Sequence, residues 1–370
     1  MVIRAPRRDQ GIALIIVMIV IVVLTLLAGG FAYTMKVETK LARNSSFETD
    51  MEFLGRSGVE LGRYVLAMQL IMPGEANYTA LNQKWAGGWG GTNELLADID
   101  LSNNELGPGR FSVKIVDMER RFNLSQIHEN NTAILEKALD VIGVEGSEVS
   151  TITDSYLDWT DVDEKTRPHG AESRDYMRMD LKRPYFAKNG PIDDLAELLL
   201  IKGVTPEIYY GSSRSGNSVG ASLGPRRRPH RGFMEDGPLP SGSGFGLLDL
   251  FTPISGSGVA VNVNTVPAEV LQLLPGVDAA LAHAIVASRD GSDNSPGTED
   301  DIPFINTGEL INVPGLDPQI LQASRNFLTV QSAIFEITVD AEIGGYKRQF
   351  VALVHRRSRA DVPILYFQWR

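Results

Sequence analysis

The feature that most constrains this chain is an uncharged, apolar run near its N-terminus. Ile12 to Tyr33 form 22 residues without a charged side chain. A helix rises about 1.5 Å per residue, so roughly 20 apolar residues cross a hydrocarbon core of about 30 Å. Arg4, Arg7 and Arg8 precede the run, and positive residues stay on the cytoplasmic side. We therefore predict a single transmembrane helix at 12–33 with the bulk of the chain outside the cytoplasm.

The sequence beyond this run predicts that the helix continues. A secretory signal peptide has a shorter apolar core followed by a small-residue cleavage site. Here Gly29 and Gly30 are followed by more helix-like sequence. Lys36 to Leu70 contain no proline and space apolar residues among charged ones, which is typical of an amphipathic helix. We expect one long helix, half in lipid and half amphipathic.

Together the leader and the apolar run resemble the class III leader of type IV pilins and of type II secretion pseudopilins. The resemblance implies cleavage by a prepilin peptidase after Gly11 and N-methylation of Ile12. The family usually has Phe or Met at the first mature position and Glu at the fifth, where this sequence has Ile12 and Ile16. A carboxylate inside a membrane is costly unless it is paired, and a subunit without it is an unusual, non-repeating member. A plain signal anchor is the alternative.

A short apolar pattern recurs at 197–205, 269–278 and 309–317. Each copy predicts helix, turn and helix, with a glycine in the turn and Thr205, Asp278 or Asp317 capping the next helix. The pattern resembles the helix-hairpin-helix module, which grips DNA phosphate through a Gly-hydrophobic-Gly turn. These three residues replace the second glycine, and an aspartate repels phosphate. With a formal charge of −11, the hairpins are better interpreted as a packed scaffold, and we expect no nucleic-acid partner.

Further matches follow in order along the chain: 111–117, 122–124, 158–163, 170–172, 189–192 and 261–265. With the leader and the hairpins they resemble the general secretion protein K family, the largest minor pseudopilins of the type II secretion system. The resemblance implies an α+β, pilin-like fold. A long N-terminal helix packs on a small antiparallel sheet, and a large, mainly helical insertion contains helix-hairpin-helix-like (SAM-like) modules.

The sequence supports this organisation independently. Alternating apolar residues predict a strand at Phe111 to Val116, and a hairpin of Ile334 to Ile343 with Tyr346 to His355 around Gly344-Gly345. We predict a leader at 1–11, a transmembrane helix at 12–33, a split pilin-like domain at 34–117 and 328–370, and an insertion at 118–327. A loop near 211–246 is rich in Gly, Ser, Pro and Arg. Its basic segment 225–231 could contact anionic lipid or a partner, or be a solvated linker.

Clustered carboxylates predict a metal site. Asp158, Asp161, Asp163 and Glu172 lie close together in the sequence, and calcium takes six to eight oxygen ligands in irregular geometry. The resemblance to the protein K family implies calcium in this inserted region. A second acidic loop competes for the role, with Asp290, Asp293, Glu299, Asp300 and Asp301. Solvated loops and helix caps are the alternative for both.

No catalytic pattern stands out in the sequence. The chain has no cysteine, and its five histidines stand in unrelated contexts without an HExxH, GxSxG or GxxxxGK motif. We expect a structural protein rather than an enzyme.

The resemblance implies a tip subunit of a periplasmic pseudopilus, anchored once in the inner membrane with a periplasmic C-terminal domain. It implies the major pseudopilin, other minor pseudopilins and the prepilin peptidase as partners. A DNA receptor of a competence pilus and an adhesive type IV minor pilin are the alternatives.

Overall fold

The computed structural model describes residues 10–89, 94–178, 183–211 and 244–369. Residues 1–9 of the expected leader and the basic segment 225–231 lie outside the described residues. The α-helices are α1 Gln10–Ser46, α2 Glu48–Gln69, α3 Glu94–Ala97, α4 Ala133–Ile142, α5 Gly146–Thr160, α6 Ser173–Tyr176, α7 Pro206–Tyr210, α8 Leu247–Leu250, α9 Ala268–Leu271, α10 Ala279–Arg289 and α11 Pro318–Ser324.

Short 3-10 helices and strands complete the fold. The 3-10 helices are Lys84–Ala86, Met118–Arg120, Leu124–Gln126, Leu195–Leu200, Thr307–Asn312 and Arg325–Phe327. The strands are β1 Asn104–Leu106, β2 Gly109–Asp117, β3 Phe122–Asn123, β4 Phe251–Thr252, β5 Val261–Asn262, β6 Leu328–Thr329, β7 Ile334–Ile343, β8 Tyr346–His355 and β9 Ile364–Trp369.

The N-terminal helix is long and apolar, as expected. Within α1, Ala13–Ala42 is long and apolar enough to cross a membrane, and none of it is buried by the rest of the chain. The expectation of one uninterrupted helix to Leu70 is wrong, because the helix is interrupted at one residue. Phe47 separates α1 from α2 with φ −86° and ψ −6°, and its carbonyl still accepts a hydrogen bond from the Met51 N–H. Asn and Ser are weak helix formers, and the run Asn44-Ser45-Ser46 precedes the break.

Five antiparallel strands form one sheet in the order β1-β2-β7-β8-β9. The predicted strand at Phe111 to Val116 is confirmed within β2, and the predicted hairpin around Gly344-Gly345 is confirmed as β7 and β8. Both hairpin glycines have positive φ, which this tight turn requires.

Helix α2 packs closely across this sheet because it presents three glycines to it. A Cβ atom at Gly55 would collide with the ring of Phe350, and one at Gly62 would press on Ile337. Gly58 faces Val339 in the same way. The glycines therefore set how closely the helix approaches the sheet.

The described residues between β2 and β7 form a second, mainly helical body. One apolar cluster lies between α2 and the sheet, and another fills the insertion. The junction of the two is polar. Asp117 is buried and accepts hydrogen bonds from Asn262 Nδ2 at 3.2 Å and Ser332 Oγ at 2.7 Å. Arg356 Nη2 donates to Thr79 Oγ1 at 2.7 Å and to the Ser332 carbonyl at 2.8 Å. Satisfied buried networks of this kind fix one arrangement of the groups they join.

The three hairpins form with the turn chemistry that the sequence predicts. Gly203, Gly276 and Gly315 all have positive φ. The first helices are shorter than expected: 3-10 turns at 195–200 and 307–312, and four residues in α9.

Candidate metal centre

The end of helix α5 positions the acidic cluster. Asp158 lies in the last turn of α5, and Asp161 is its C-cap residue. The chain then loops back so that Glu172, the residue before α6, faces them. One carboxylate oxygen from each of Asp158, Asp161 and Glu172 lies within 4.8 Å of the others. Within the described residues, no other group of His, Cys, Asp or Glu side chains meets this criterion.

Asp163 is not part of this group. Its carboxylate caps the following turn by accepting the Lys165 N–H at 2.8 Å. The predicted set of four ligands stays a prediction, and the structure brings three of its members together.

Two of the three carboxylates are deeply buried. Asp158 is 0% and Glu172 is 1% exposed, while Asp161 is partly exposed. Gly170 allows the close approach, because a Cβ atom there would collide with Asp158 Oδ2.

Arg167 supplies the positive charge of the cluster. Its Nε lies 3.3 Å from Asp158 Oδ1 and its Nη2 lies 3.4 Å from Asp161 Oδ2. The Nε contact lacks hydrogen-bond geometry, since that buried atom has no hydrogen-bond partner among the described residues. The Nη2 atom of the same guanidinium also pairs with Glu129 Oε1 at 2.6 Å. Three converging carboxylates therefore share one guanidinium, and negative charge remains in excess.

The surroundings disfavour the ionised carboxylates. Burial, followed by the charges of Asp158 and Asp161, raises the pKa of Glu172 to about 7. Burial also raises the pKa of Asp158, against the opposing backbone N–H and charge of Arg167. The pKa of Asp161 is raised by burial and then by Asp163. A bound cation would reverse each of these shifts.

Several buried oxygens lack a donor. Among the described residues, both carboxylate oxygens of Glu172 and Oδ1 of Asp161 accept no hydrogen bond. Buried polar atoms normally have a partner, so this donor-poor set of hard oxygens fits a hard cation such as Ca²⁺.

The sequence did not indicate two neighbours of the cluster. Glu164 Oε1 accepts hydrogen bonds from Ser173 Oγ and Asn189 Nδ2 at 3.0 and 3.1 Å. Asn189 Oδ1 is another buried acceptor without a donor among the described residues. Asn189 is 17 residues from Glu172 along the chain, so no local spacing marks it. In the sequence, Asn189 stands only in the family-like segment 189–192, and in the structure it has a positive φ of 50°, which is uncommon outside glycine.

The second acidic loop is organised differently. Asp300 accepts hydrogen bonds from Ser292 N–H and Oγ, Asp293 N–H and Thr298 Oγ1. These bonds hold the pKa of Asp300 well below its usual range. Asp290 pairs with Arg289 at 2.9 Å.

The other acids of this loop do not converge either. Asp301 accepts the Gly297 N–H and Asp293 accepts the Ser295 N–H, both at 2.8 Å. Glu299 is exposed. The hydrogen-bonded carboxylates therefore stabilise the loop through contacts within the loop itself.

The residues that replace the second glycine of the hairpin turns cap the following helices. Asp278 accepts the Leu281 N–H at 2.8 Å, and Asp317 accepts the Gln319 N–H at 2.7 Å. Thr205 accepts the Ile208 N–H at the first hairpin. In two of the three turns the capping group is thus a carboxylate, which would repel a phosphate.

Comparisons with known proteins agree with this architecture. The model of the family described as "Type II secretion system (T2SS), protein K" matches residues 120–211. The model described as "Helix-hairpin-helix motif" matches residues 256–329. In the crystal structure of the GspK-GspI-GspJ complex from the type 2 secretion system of enterotoxigenic Escherichia coli, one chain has a similar fold. Its TM-score is 0.60 at 15% identity, covering 89% of this chain and 99% of that one.

Curated relatives carry the same description, type II secretion system protein K. The Klebsiella pneumoniae protein is 25% identical over 216 residues, 55% of this chain and 60% of its own length. The Pseudomonas aeruginosa protein is 25% identical over 207 residues, 53% of this chain and 58% of its own length. The chain thus spans about three fifths of these two relatives.

A third relative extends the match along the sequence. The Aeromonas hydrophila protein is 23% identical over 361 residues, covering 91% of this chain and 90% of its own. The fold, the two domain matches and these similarities together support a minor pseudopilin similar to type II secretion system protein K.

Proposed function

We propose that this chain is a minor pseudopilin that occupies the tip of the periplasmic pseudopilus, starts its assembly and supports protein export across the outer membrane. The observation that carries the proposal is the placement of the insertion. It joins two neighbouring strands of a pilin-like sheet whose long helix is left uncovered. A body of this size would obstruct a further subunit above it, which suits an end position rather than a repeating one.

The apolar helix supports a membrane anchor. None of Ala13–Ala42 is buried within the chain, so lipid or other helices must cover it. We propose that the helix anchors the chain once in the inner membrane, N-terminus in the cytoplasm. After cleavage following Gly11 and methylation of Ile12, it packs among pseudopilin helices. Ile16 removes the carboxylate that would pair with a subunit above, and a terminal subunit does not need that pairing.

A similar solved structure supports the choice of partner proteins. The similar crystal structure is of a complex with GspI and GspJ. We propose that the minor pseudopilins that correspond to them bind this chain, and that the major pseudopilin extends the filament beneath.

Calcium at the Asp158, Asp161 and Glu172 cluster completes the proposal. These carboxylates would hold the ion, and Asp163, Glu164 and Asn189 offer further oxygens nearby. The ion would neutralise the excess negative charge. It would thereby fix the end of α5 to the loop that leads into α6.

Co-purification of the full chain tests the proposal. The chain is co-expressed with the minor pseudopilins of its own genome, extracted in detergent and captured by an affinity tag, with calcium or with EGTA. We expect a discrete complex on size exclusion. Folded components that elute separately would contradict the tip complex. A deletion strain that exports its substrates normally would contradict a role in secretion.

A further inference from the structure

An apolar groove lies beside the first hairpin of the insertion. It runs between the loop that joins α4 to α5 and the helix α7, and its volume is about 360 Å³. Ile142, Val144, Ile208 and Phe245 line it. All four also pack on the apolar cluster of the insertion, so the groove is held in shape by the core beneath it. Its volume falls in the range of about 300–1,000 Å³ that is usual for ligand clefts.

The rim of this groove is acidic. Its charged lining residues are Glu145, Glu148 and Glu207, and no lysine or arginine of the described chain lines it. Glu145 is the N-cap residue of the 15-residue helix α5, and Glu148 lies in its first turn. The positive end of the helix dipole stabilises negative charge at both positions. Both side chains are exposed and are accessible to a partner.

We propose that the groove docks a basic, extended segment of a partner protein. One apolar side chain of that segment enters the groove, and its flanking Arg or Lys residues pair with Glu145 and Glu148. Charge complementarity selects this occupant, since among the described residues the groove joins an apolar floor to the exposed carboxylates of Glu145 and Glu148. The phosphate backbone of a nucleic acid has the wrong sign for this rim. The inference depends neither on the calcium site nor on the position of the chain in the filament.

Exposed ion pairs set the size of the expected effect. Each such pair changes an affinity by roughly twofold to fivefold, so removal of both α5 carboxylates should weaken binding by about tenfold. Rim charges act mainly through screened electrostatics. Binding should therefore also weaken as salt is raised.

A fluorescein-labelled peptide with a central leucine between arginines provides the probe. Its binding to the full chain in detergent micelles is measured by fluorescence polarisation. We expect saturable binding that the Glu145→Gln/Glu148→Gln variant weakens by about tenfold. The matched control is Glu136→Gln, an exposed glutamate on α4 outside the groove, and it should bind as the wild type does. A peptide with glutamates in place of the arginines should not bind.

Two results would overturn the proposal. Equal binding by the wild type, the double variant and the control would show that the peptide binds elsewhere. Binding that appears only after Arg226→Ala/Arg227→Ala/Arg228→Ala would show that the occupant is the chain's own basic segment rather than a partner. Thermal melts of each variant, followed by circular dichroism, confirm that the exposed substitutions leave the fold intact.

Discussion

The two acidic loops of the insertion have similar compositions but opposite electrostatics. In the loop at 158–172, three carboxylates converge, and buried oxygens of Glu172 and Asp161 accept no hydrogen bond within the described chain. In the loop at 290–301, Asp300 alone accepts four hydrogen bonds. Burial combined with a lack of donors, rather than the number of acids, therefore distinguishes a candidate cation site from a self-supporting loop.

Calcium should produce the largest difference between the loops. A ligand that binds only the folded state stabilises it by about 2.7 kcal/mol at a hundred times its dissociation constant. We expect a gain of that size in the free energy of unfolding of the full chain, measured by denaturant titration in detergent with calcium or EGTA. Asp158→Asn/Glu172→Gln should abolish the gain, and Asp300→Asn should keep it. The reverse pattern would move the site to the second loop.

A glycine supports each loop, which allows a matched test. A Cβ atom at Gly170 would collide with Asp158, and one at Gly291 with Asp300. Overpacking costs about 1–3 kcal/mol, so Gly170→Ala and Gly291→Ala should each lower the free energy of unfolding by that amount. Only Gly170→Ala should also weaken the response to calcium. Equal calcium responses in both variants would remove the distinction between the loops.

The stability of the calcium-free protein should depend on the ionisation of Glu172. The folded state raises its pKa from 4.5 to about 7. The folded protein therefore holds this proton more tightly than the unfolded chain, so the contribution is complete below pH 4.5 and is lost as the pH rises through 7. We expect a loss of roughly 2 kcal/mol between about pH 5 and pH 8 in EGTA. Glu172→Gln should flatten this profile, and an unchanged profile would assign it to other groups.

The smallest effect is expected from Asp300→Asn. This change weakens the acceptor for the Ser292 and Asp293 N–H groups in an exposed loop. Amide hydrogen exchange should become faster at these two residues while the rest of the insertion stays protected. Faster exchange throughout the insertion would show that the second loop supports the whole domain.

Local patterns predict local structure well in this chain. Gly344-Gly345 and the alternation around them predict the β7–β8 hairpin, and the glycines of the three hairpins predict their turns. The break at Phe47, which follows three weak helix formers, and the short first helices of the hairpins differ from expectation. The close helix–sheet contact through Gly58 has no local signal, since glycine in a helix is by itself unfavourable.

The candidate site shows the same limit. Sequence proximity indicates Asp158 and Asp161 because both belong to the end of one helix. Asp163 is just as near, yet its carboxylate is used in a turn. Arg167 and Asn189 enter the site only through the path of the loop. Proximity along the chain therefore predicts candidates, while the fold decides which oxygens remain without donors.

The insertion leaves the sheet at the end of β2 and returns at the start of β7, where Asp117 and Phe335 are direct cross-strand partners. In topological terms β2 and β7 are the two strands of a hairpin, and the insertion takes the place of its turn. The free energy needed to close a loop grows slowly with loop length. Inserts of very different size can therefore occupy this position while the register of the strands stays the same. A subunit of this kind could thus acquire a new surface without any change in its long N-terminal helix.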